Sequence, residues 1–395
     1  MFLRIQSANI VIFIVILCNY LAATVFEMKK TVLALLTALV LSACAPEDRF
    51  IQVSGHAQGG VYTVKVNLKG VSVSPEEIRD SVDAILVRVD TTLSGYNKGS
   101  LLSRFNAGET IRPNGLFLDM YRIGYGWYER SGGVLDFAAG PLFDAWGFGF
   151  KSGEMPSGEA VAAIKASCGM GLLKPSMTPR ADGTLSVRDV RQDGTDAPVV
   201  LNYNAIAQGY TCDLVAAYLY SIGAKDMLVD IGEIWCDGHS PSGRPWNVGV
   251  DRPYDRPADG TDTVGAELDG VWSSSLTPAG IVTSGNYRKF YVRDGRKYAH
   301  SIDPRSGYPV DHNLLSATVV SPSGAADADA LATWCMVVGL ETARELILGL
   351  DGTEGYLIYT AEDGAMTEWA SPGFTLTKYP AGSRPGPGTA SPWRG

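Results

Sequence analysis

Three polar stretches in the last third of the chain hold the residue types that phosphate chemistry uses. TSGNYRKFY (283–291) offers the hydroxyls of Thr283 and Ser284, the backbone of Gly285 and the guanidinium of Arg288, groups that together grip a phosphate. KYAHSIDPRSGYPV (297–310) sets His300, one of only 4 histidines, before an Asp303-Pro304 turn with Arg305 behind it. Histidine is the natural base near neutral pH, and such a turn can aim it while the arginine adds positive charge. ADADALAT (326–333) puts Asp329 and Thr333 four residues apart, on one face of a predicted helix. Both are hard oxygen donors, suited to Mg²⁺ more than to zinc. Taken singly, each stretch has a plainer explanation in turn chemistry, a helix cap or a solvated surface.

Further patches lie upstream. LSGYNKGSLLSRFN (93–106) contains Tyr96, and SGGVLDFAAGPLFDAWGFG (131–149) sets Asp136 in an apolar setting before Trp146. NYNAIAQGYTCD (202–213) carries Ala205 and Gln208, and puts a glycine at a helix start, a natural anion seat. No GxSxG elbow, P-loop, HExxH or strand-linked GxGxxG occurs, and four scattered histidines make no zinc site.

The elements that must position these residues mix helices and strands without a regular βαβ rhythm, which predicts an α+β fold rather than a doubly wound sheet. Strands are expected over 59–68, 226–232, 246–253 and 355–361, with 184–189 and 198–204 as a pair. Helices are expected over 74–94, 116–131, 157–166 and 206–223, and one or two over 328–350. Residues 254–270 read as a polar loop, and the Pro-, Gly- and Ser-rich tail, 379–395, as disordered.

The chain has 395 residues, 46% hydrophobic and 19% charged, ordinary for a globular protein with a large core. A net charge of −9 with no Lys/Arg-rich run argues against nucleic acid as a partner. From Met28 the chain reads MKKTVLALLTALVLSAC, a lipoprotein-type secretory signal that would leave a lipidated Cys44. Its apolar segment, 31–41, is too short for about 30 Å of hydrocarbon. A second apolar run at 8–26 makes poor sense in the same exported chain, so Met28 is read as the true start, a membrane anchor being the alternative. The expected layout is a signal region over 1–43, a polar tether over 44–60, a catalytic domain over 61–378 and the tail. Cys168, Cys212, Cys236 and Cys335 fit no zinc or CxxC spacing, and no disulfide framework is expected.

Together the patches change the weight of each. Their order and wording, from about Tyr62 to Thr377, resemble the FAD:protein FMN transferases, the ApbE-like flavin transferases. The resemblance implies a single T-fold-related α+β domain at the cell envelope, in the periplasm and often lipid-anchored. It implies Mg²⁺-dependent cleavage of FAD, with FMN passed through a phosphoester to a Ser/Thr hydroxyl of an acceptor protein and AMP released. The acceptors implied are redox complexes or extracytoplasmic electron-transfer proteins. Carried over, Asp329 and Thr333 become Mg²⁺ ligands with the Ala205 carbonyl. Thr283, Ser284, Gly285 and Arg288 meet the diphosphate, His300 is the base, and Asp303 and Arg305 support it. Tyr96, Asp136, Trp146 and Gln208 belong to motifs that shape the flavin cleft.

The sequence departs from the family pattern at several points. Gln208 stands where the family has lysine, Ala205 where it has glycine, and Leu135-Asp136-Phe137-Ala138 where it has Phe-Asp-Pro-Thr. The usual double glycine is reduced to Gly232-Glu233. Two other readings stay open at this level: hydrolysis of FAD to FMN and AMP, and a lipoprotein that binds flavin without turnover. No acceptor motif occurs in the chain itself.

Overall fold

The computed structural model describes residues 29–30, 47–148, 155–253, 268–275, 277–286, 290–293 and 296–378. The signal region, Cys44, Arg288 and the tail from 379 therefore lie outside the described residues, apart from Lys29 and Lys30. The compact unit that carries the fold begins at Phe50.

Its frame is an eight-stranded, wholly antiparallel sheet in the order β1-β2-β3-β4-β7-β12-β13-β14. The strands are β1 (Phe50–Ala57), β2 (Gly60–Asn67), β3 (Met227–Asp230), β4 (Ile234–Asp237), β7 (Ala279–Gly285), β12 (Leu314–Ser321), β13 (Glu354–Thr360) and β14 (Met366–Ala370). A three-stranded sheet contains β5 (Asn247–Asp251), β6 (Leu268–Ser273) and β15 (Leu376–Lys378). Two short hairpins, β8 (Phe290–Arg293) with β9 (Arg296–Ala299) and β10 (Ile302–Asp303) with β11 (Tyr308–Pro309), lie between β7 and β12 in the chain.

Side-chain alternation divides the sheet into two faces. On one, Val64, Val66, Met227 and Val229 pack beneath helices α1 (Pro75–Leu93) and α7 (Ala207–Ser221). On the other, Leu228, Cys236, Ile281 and Tyr356 meet Trp246, Val248 and Trp272 of the small-sheet region. Helix α1 forms where its sequence sets the start: Ser74 and Glu77 make a reciprocal capping box, and Pro75 fills the first turn. Its stripe of Ile78, Val82, Leu86, Val89 and Leu93 is buried, each side chain contributing roughly 1.5–3 kcal/mol.

Further helices are α2 (Leu101–Asn106), α3 (Gly115–Arg130), α4 (Gly140–Ala145), α5 (Gly158–Ser167) and the one-turn α6 (Val187–Val190). Helices α8 (Ala325–Val338) and α9 (Leu340–Leu348) divide the predicted 328–350 stretch, because Gly339 takes a left-handed φ of 79° between them. Helix α8 packs on β7 and β12 and against α7. Two glycines make that approach possible. A Cβ on Gly209 would lie 2.3 Å from the Ala325 carbonyl oxygen, and one on Gly280 would lie 2.5 Å from the Ala325 Cα.

Three element predictions are corrected. The stretch read as a polar tether, 44–60, contains β1, an edge strand registered from Phe50↔Asn67 to Ala57↔Gly60. The strand pair 184–189 with 198–204 is not formed. A capping box between Ser186 and Asp189 turns that chain into α6, and Leu185 bridges Ile111 instead. Residues 198–203 form no strand, and are tied instead by Leu201 N–H to Asn106 Oδ1 (2.8 Å) and by Asn202 N–H to the Phe137 carbonyl (2.8 Å). The polar loop over 254–270 overreaches, since β6 begins at Leu268; 254–267 lie outside the described residues.

Candidate active site

The ends of several elements enclose a cleft of about 310 Å³. One wall is the end of β7, Thr283, Ser284 and Gly285, with His300 and Ser301 beside it. A second is the face of α8 that carries Asp329 and Thr333, one helical turn apart. The 202–205 turn brings Asn202, Asn204 and Ala205, and the 134–137 turn brings Asp136. Phe143 and Phe148 add aromatic surface, and Tyr96, 66% exposed, stands at the rim with its hydroxyl 3.5 Å from Asn204 Nδ2.

Asp329 is the most buried acid here. Its Oδ2 accepts the backbone N–H of Gly209 at 3.2 Å, and burial holds its carboxyl well above the usual carboxylate range. Neighbouring Asp213 pushes the same way. Asp213 itself anchors the start of α8 by accepting Ala325 N–H (2.7 Å) and Ala326 N–H (2.9 Å), and burial raises it to about 6 despite those bonds. Asp136 ties two turns together, since its Oδ1 accepts Ala138 N–H and Met170 N–H, both at 2.9 Å. Burial outweighs these bonds and raises its pKa as well. A pocket walled by buried carboxyls is one in which a cation would relieve unfavourable charge.

Thr283 Oγ1 and Thr318 Oγ1 lie 2.8 Å apart across the β7–β12 ladder, so this hydroxyl has a protein partner already. Phe148 meets the His300 ring edge to face, with centroids 6.4 Å apart.

This arrangement matches known proteins along most of its length. Residues 59–357 match the model of the ApbE family. The chain belongs to the ApbE family. It is 31% identical over 362 residues to the FAD:protein FMN transferase of Haemophilus influenzae, covering 89% of this chain and 99% of that relative. It is 31% identical over 304 residues to the Escherichia coli K12 protein of the same name, covering 75% and 81%. Among solved structures, the flavin transferase ApbE from Vibrio cholerae superposes with a TM-score of 0.65 at 29% identity, covering 82% of this chain and 98% of that one. The apo flavinyl transferase ApbE of Pseudomonas stutzeri gives a TM-score of 0.66 at 29% identity, with 82% and 95% coverage. The single α+β domain expected from the sequence is the fold of these ApbE structures.

Of the residues singled out from the sequence, Tyr96, Asp136, Ala205, Thr283, Ser284, Gly285, His300, Asp329 and Thr333 line this ApbE-family cleft together. Four do not line it. Trp146 is buried, its indole N–H donates to the Gly307 carbonyl at 2.9 Å, and its ring packs on Tyr308. It holds the β10–β11 hairpin instead of facing the cavity. Gln208 turns toward the 231–233 bend, donating from Nε2 to the Ile231 carbonyl at 3.2 Å. Asp303 stabilises its own turn, accepting Arg305 N–H at 2.9 Å, while its neighbour Pro304 reaches the cleft. Arg305 pairs with the Asp303 carboxylate through Nε (3.0 Å) and Nη2 (2.9 Å), so its charge is committed two residues away. Arg288 falls outside the described residues.

The anion seat read at Gly209 is also reassigned, because its N–H serves the Asp329 carboxylate. Sequence reasoning passed over Asn202, Asn204, Glu233 and Ser301 as lining residues. All four sit inside or beside quoted motifs, yet nothing local distinguishes them from turn formers.

Proposed function

We propose that this chain transfers the FMN half of FAD to a Ser or Thr hydroxyl of an acceptor protein and releases AMP. One observation carries the reading. In a chain of the ApbE family, a single cleft gathers an imidazole, the hydroxyl-rich end of a strand and a carboxylate–hydroxyl pair. The curated relatives bear the name of this activity.

In this scheme His300 takes the proton of the acceptor hydroxyl as its oxygen bonds to the FMN phosphorus. The bond from that phosphorus to the bridging oxygen breaks, and the electron pair leaves with AMP. The end of β7 orients the diphosphate, and the aromatic side chains Phe143 and Phe148 keep water from the reacting centre.

The donor set fits a hard divalent cation. Asp329, Thr333 and the Ala205 carbonyl offer only oxygen, and among the described residues no group of three His, Cys, Asp or Glu side chains is placed to hold a metal. Mg²⁺ bound there would offset diphosphate charge and stabilise the departing phosphate. We further propose that lipid on Cys44 anchors the domain to a cell-envelope membrane. Among the described residues no helix is long and apolar enough to cross a membrane.

The test is to incubate the protein from Cys44 onward with FAD, Mg²⁺ and an acceptor fragment bearing a Ser/Thr flavinylation motif. Flavin fluorescence on the acceptor in a denaturing gel, with one AMP released per flavin attached, is the expected result. AMP and free FMN without labelled acceptor would replace transfer by hydrolysis. Bound FAD with no AMP would leave only a flavin-binding protein.

A further inference from the structure

His300 and the end of β7 both line the cleft, yet the chain between them runs through the β8–β9 hairpin, which pairs with no other described strand. That excursion cannot by itself fix the imidazole relative to Thr283–Gly285. Among the described residues, one side-chain hydrogen bond spans it. Ser301 Oγ donates to Asn286 Oδ1 at 2.6 Å, joining residues 15 apart in sequence. Asn286 directly follows Gly285, is 8% exposed, and donates its own N–H to the Leu315 carbonyl at 3.0 Å, so it continues the β7–β12 ladder one step further. On the other side, the Ser301 carbonyl accepts Val310 N–H at 3.0 Å and closes the base of the β10–β11 hairpin. Ser301 is thus held through both main chain and side chain, and His300 is the residue immediately before it.

We propose that the Ser301–Asn286 hydrogen bond is a positioning device for the transfer step: it sets the distance between the His300 imidazole and a diphosphate lying along the end of β7. This rests on the reading of His300 as the base. Asn286 presents a carbonyl oxygen toward Ser301, so the pair uses the hydroxyl as donor and leaves the asparagine NH₂ to other partners. The bond is neutral and partly buried, and its loss loosens an angle and a distance without adding charge. A looser base is a kinetic defect, because proton transfer requires hydrogen-bond reach while FAD binding does not.

The experiment compares Ser301→Ala, Ser301→Thr, Asn286→Ala, the Ser301→Ala/Asn286→Ala pair and His300→Ala. Each is assayed for FMN transfer with FAD varied and for thermal midpoint. Ser301→Ala and Asn286→Ala should each lower kcat by about 10- to 100-fold with KM for FAD within about twofold, the midpoint falling by only about 2–4 °C for the lost hydrogen bond. The double variant should lose no more than either single one, because both remove the same bond. Ser301→Thr, which keeps the hydroxyl, should recover most of kcat. Wild-type kcat in Ser301→Ala, with His300→Ala inactive, would overturn the positioning role alone. Full transfer by His300→Ala would overturn the base assignment and this proposal with it. A kcat loss that follows a midpoint drop well beyond that and a raised KM would reduce the contact to a fold-stabilising one.

Discussion

The backbone N–H of Gly209 donates to Asp329 Oδ2 at 3.2 Å, a contact made across 120 residues of sequence. It joins the first turn of α7 to the acidic side chain of α8, and only a glycine lets the two backbones come so close. Gly209→Ala should therefore cost about 1–3 kcal/mol, read as a lower midpoint in urea at unchanged slope. An alanine variant as stable as the parent would show that the helices can part without penalty.

If Asp329 holds Mg²⁺ as proposed, Asp329→Ala should remove turnover. The expected loss is about 100-fold or more in AMP release from FAD at saturating Mg²⁺. FAD binding, followed by quenching of flavin fluorescence, should weaken much less. Undiminished AMP release would take Asp329 out of the proposed metal site.

Trp146→Phe separates a flavin contact from a structural tie. The variant keeps an aromatic ring against Tyr308 but leaves the Gly307 carbonyl without its indole donor. Stability should fall by about 1–2 kcal/mol while the Kd for FAD stays close to wild type. The reverse pattern, weaker FAD binding at full stability, would return Trp146 to the flavin surface.

Lys65 sets a pH dependence that does not involve the site. Burial pushes its ammonium down to about 8, against 10.5 for an exposed lysine, and Asp230 opposes the shift only in part. Between these values the unfolded chain holds a proton that the folded chain has given up. Stability should therefore rise as pH increases from about 8 to about 10.5. Lys65→Met should be more stable than the parent at pH 7 and should flatten that rise. Equal slopes in denaturant titrations of the two proteins would exclude this origin.

How far the sequence reaches can be judged from particular residues. The helix start at Ser74 and the oxygen pair on α8 follow from local spacing, which a single sequence displays, whereas the gathering of His300 with them is expected only from the combined motifs and their resemblance to the ApbE-like flavin transferases. The paired strands expected at 184–189 and 198–204 illustrate the converse. Apolar alternation there is satisfied by a strand-free segment pinned through Asn106, and a Ser186–Asp189 box decides the other half. Trp146 and Gln208 sit in motif stretches, yet the sequence cannot tell a residue that faces the ligand from one that holds the facing loop. Arg305 shows the same limit, since its nearest carboxylate is two residues away and captures it. The Ser301–Asn286 contact is invisible before folding, because a serine and an asparagine near turns are the commonest of residues.

The seating of α8 on β7 and β12, near the middle of the eight-stranded sheet, has a practical corollary. An acidic helix embedded at that depth cannot open without opening the domain, so the cleft and the core should melt as one cooperative unit. A ligand that binds there would then raise the midpoint of the entire transition, by an amount set by its concentration relative to Kd. A simple melting scan across divalent cations and adenine or flavin nucleotides would reveal what the protein holds before any acceptor is identified.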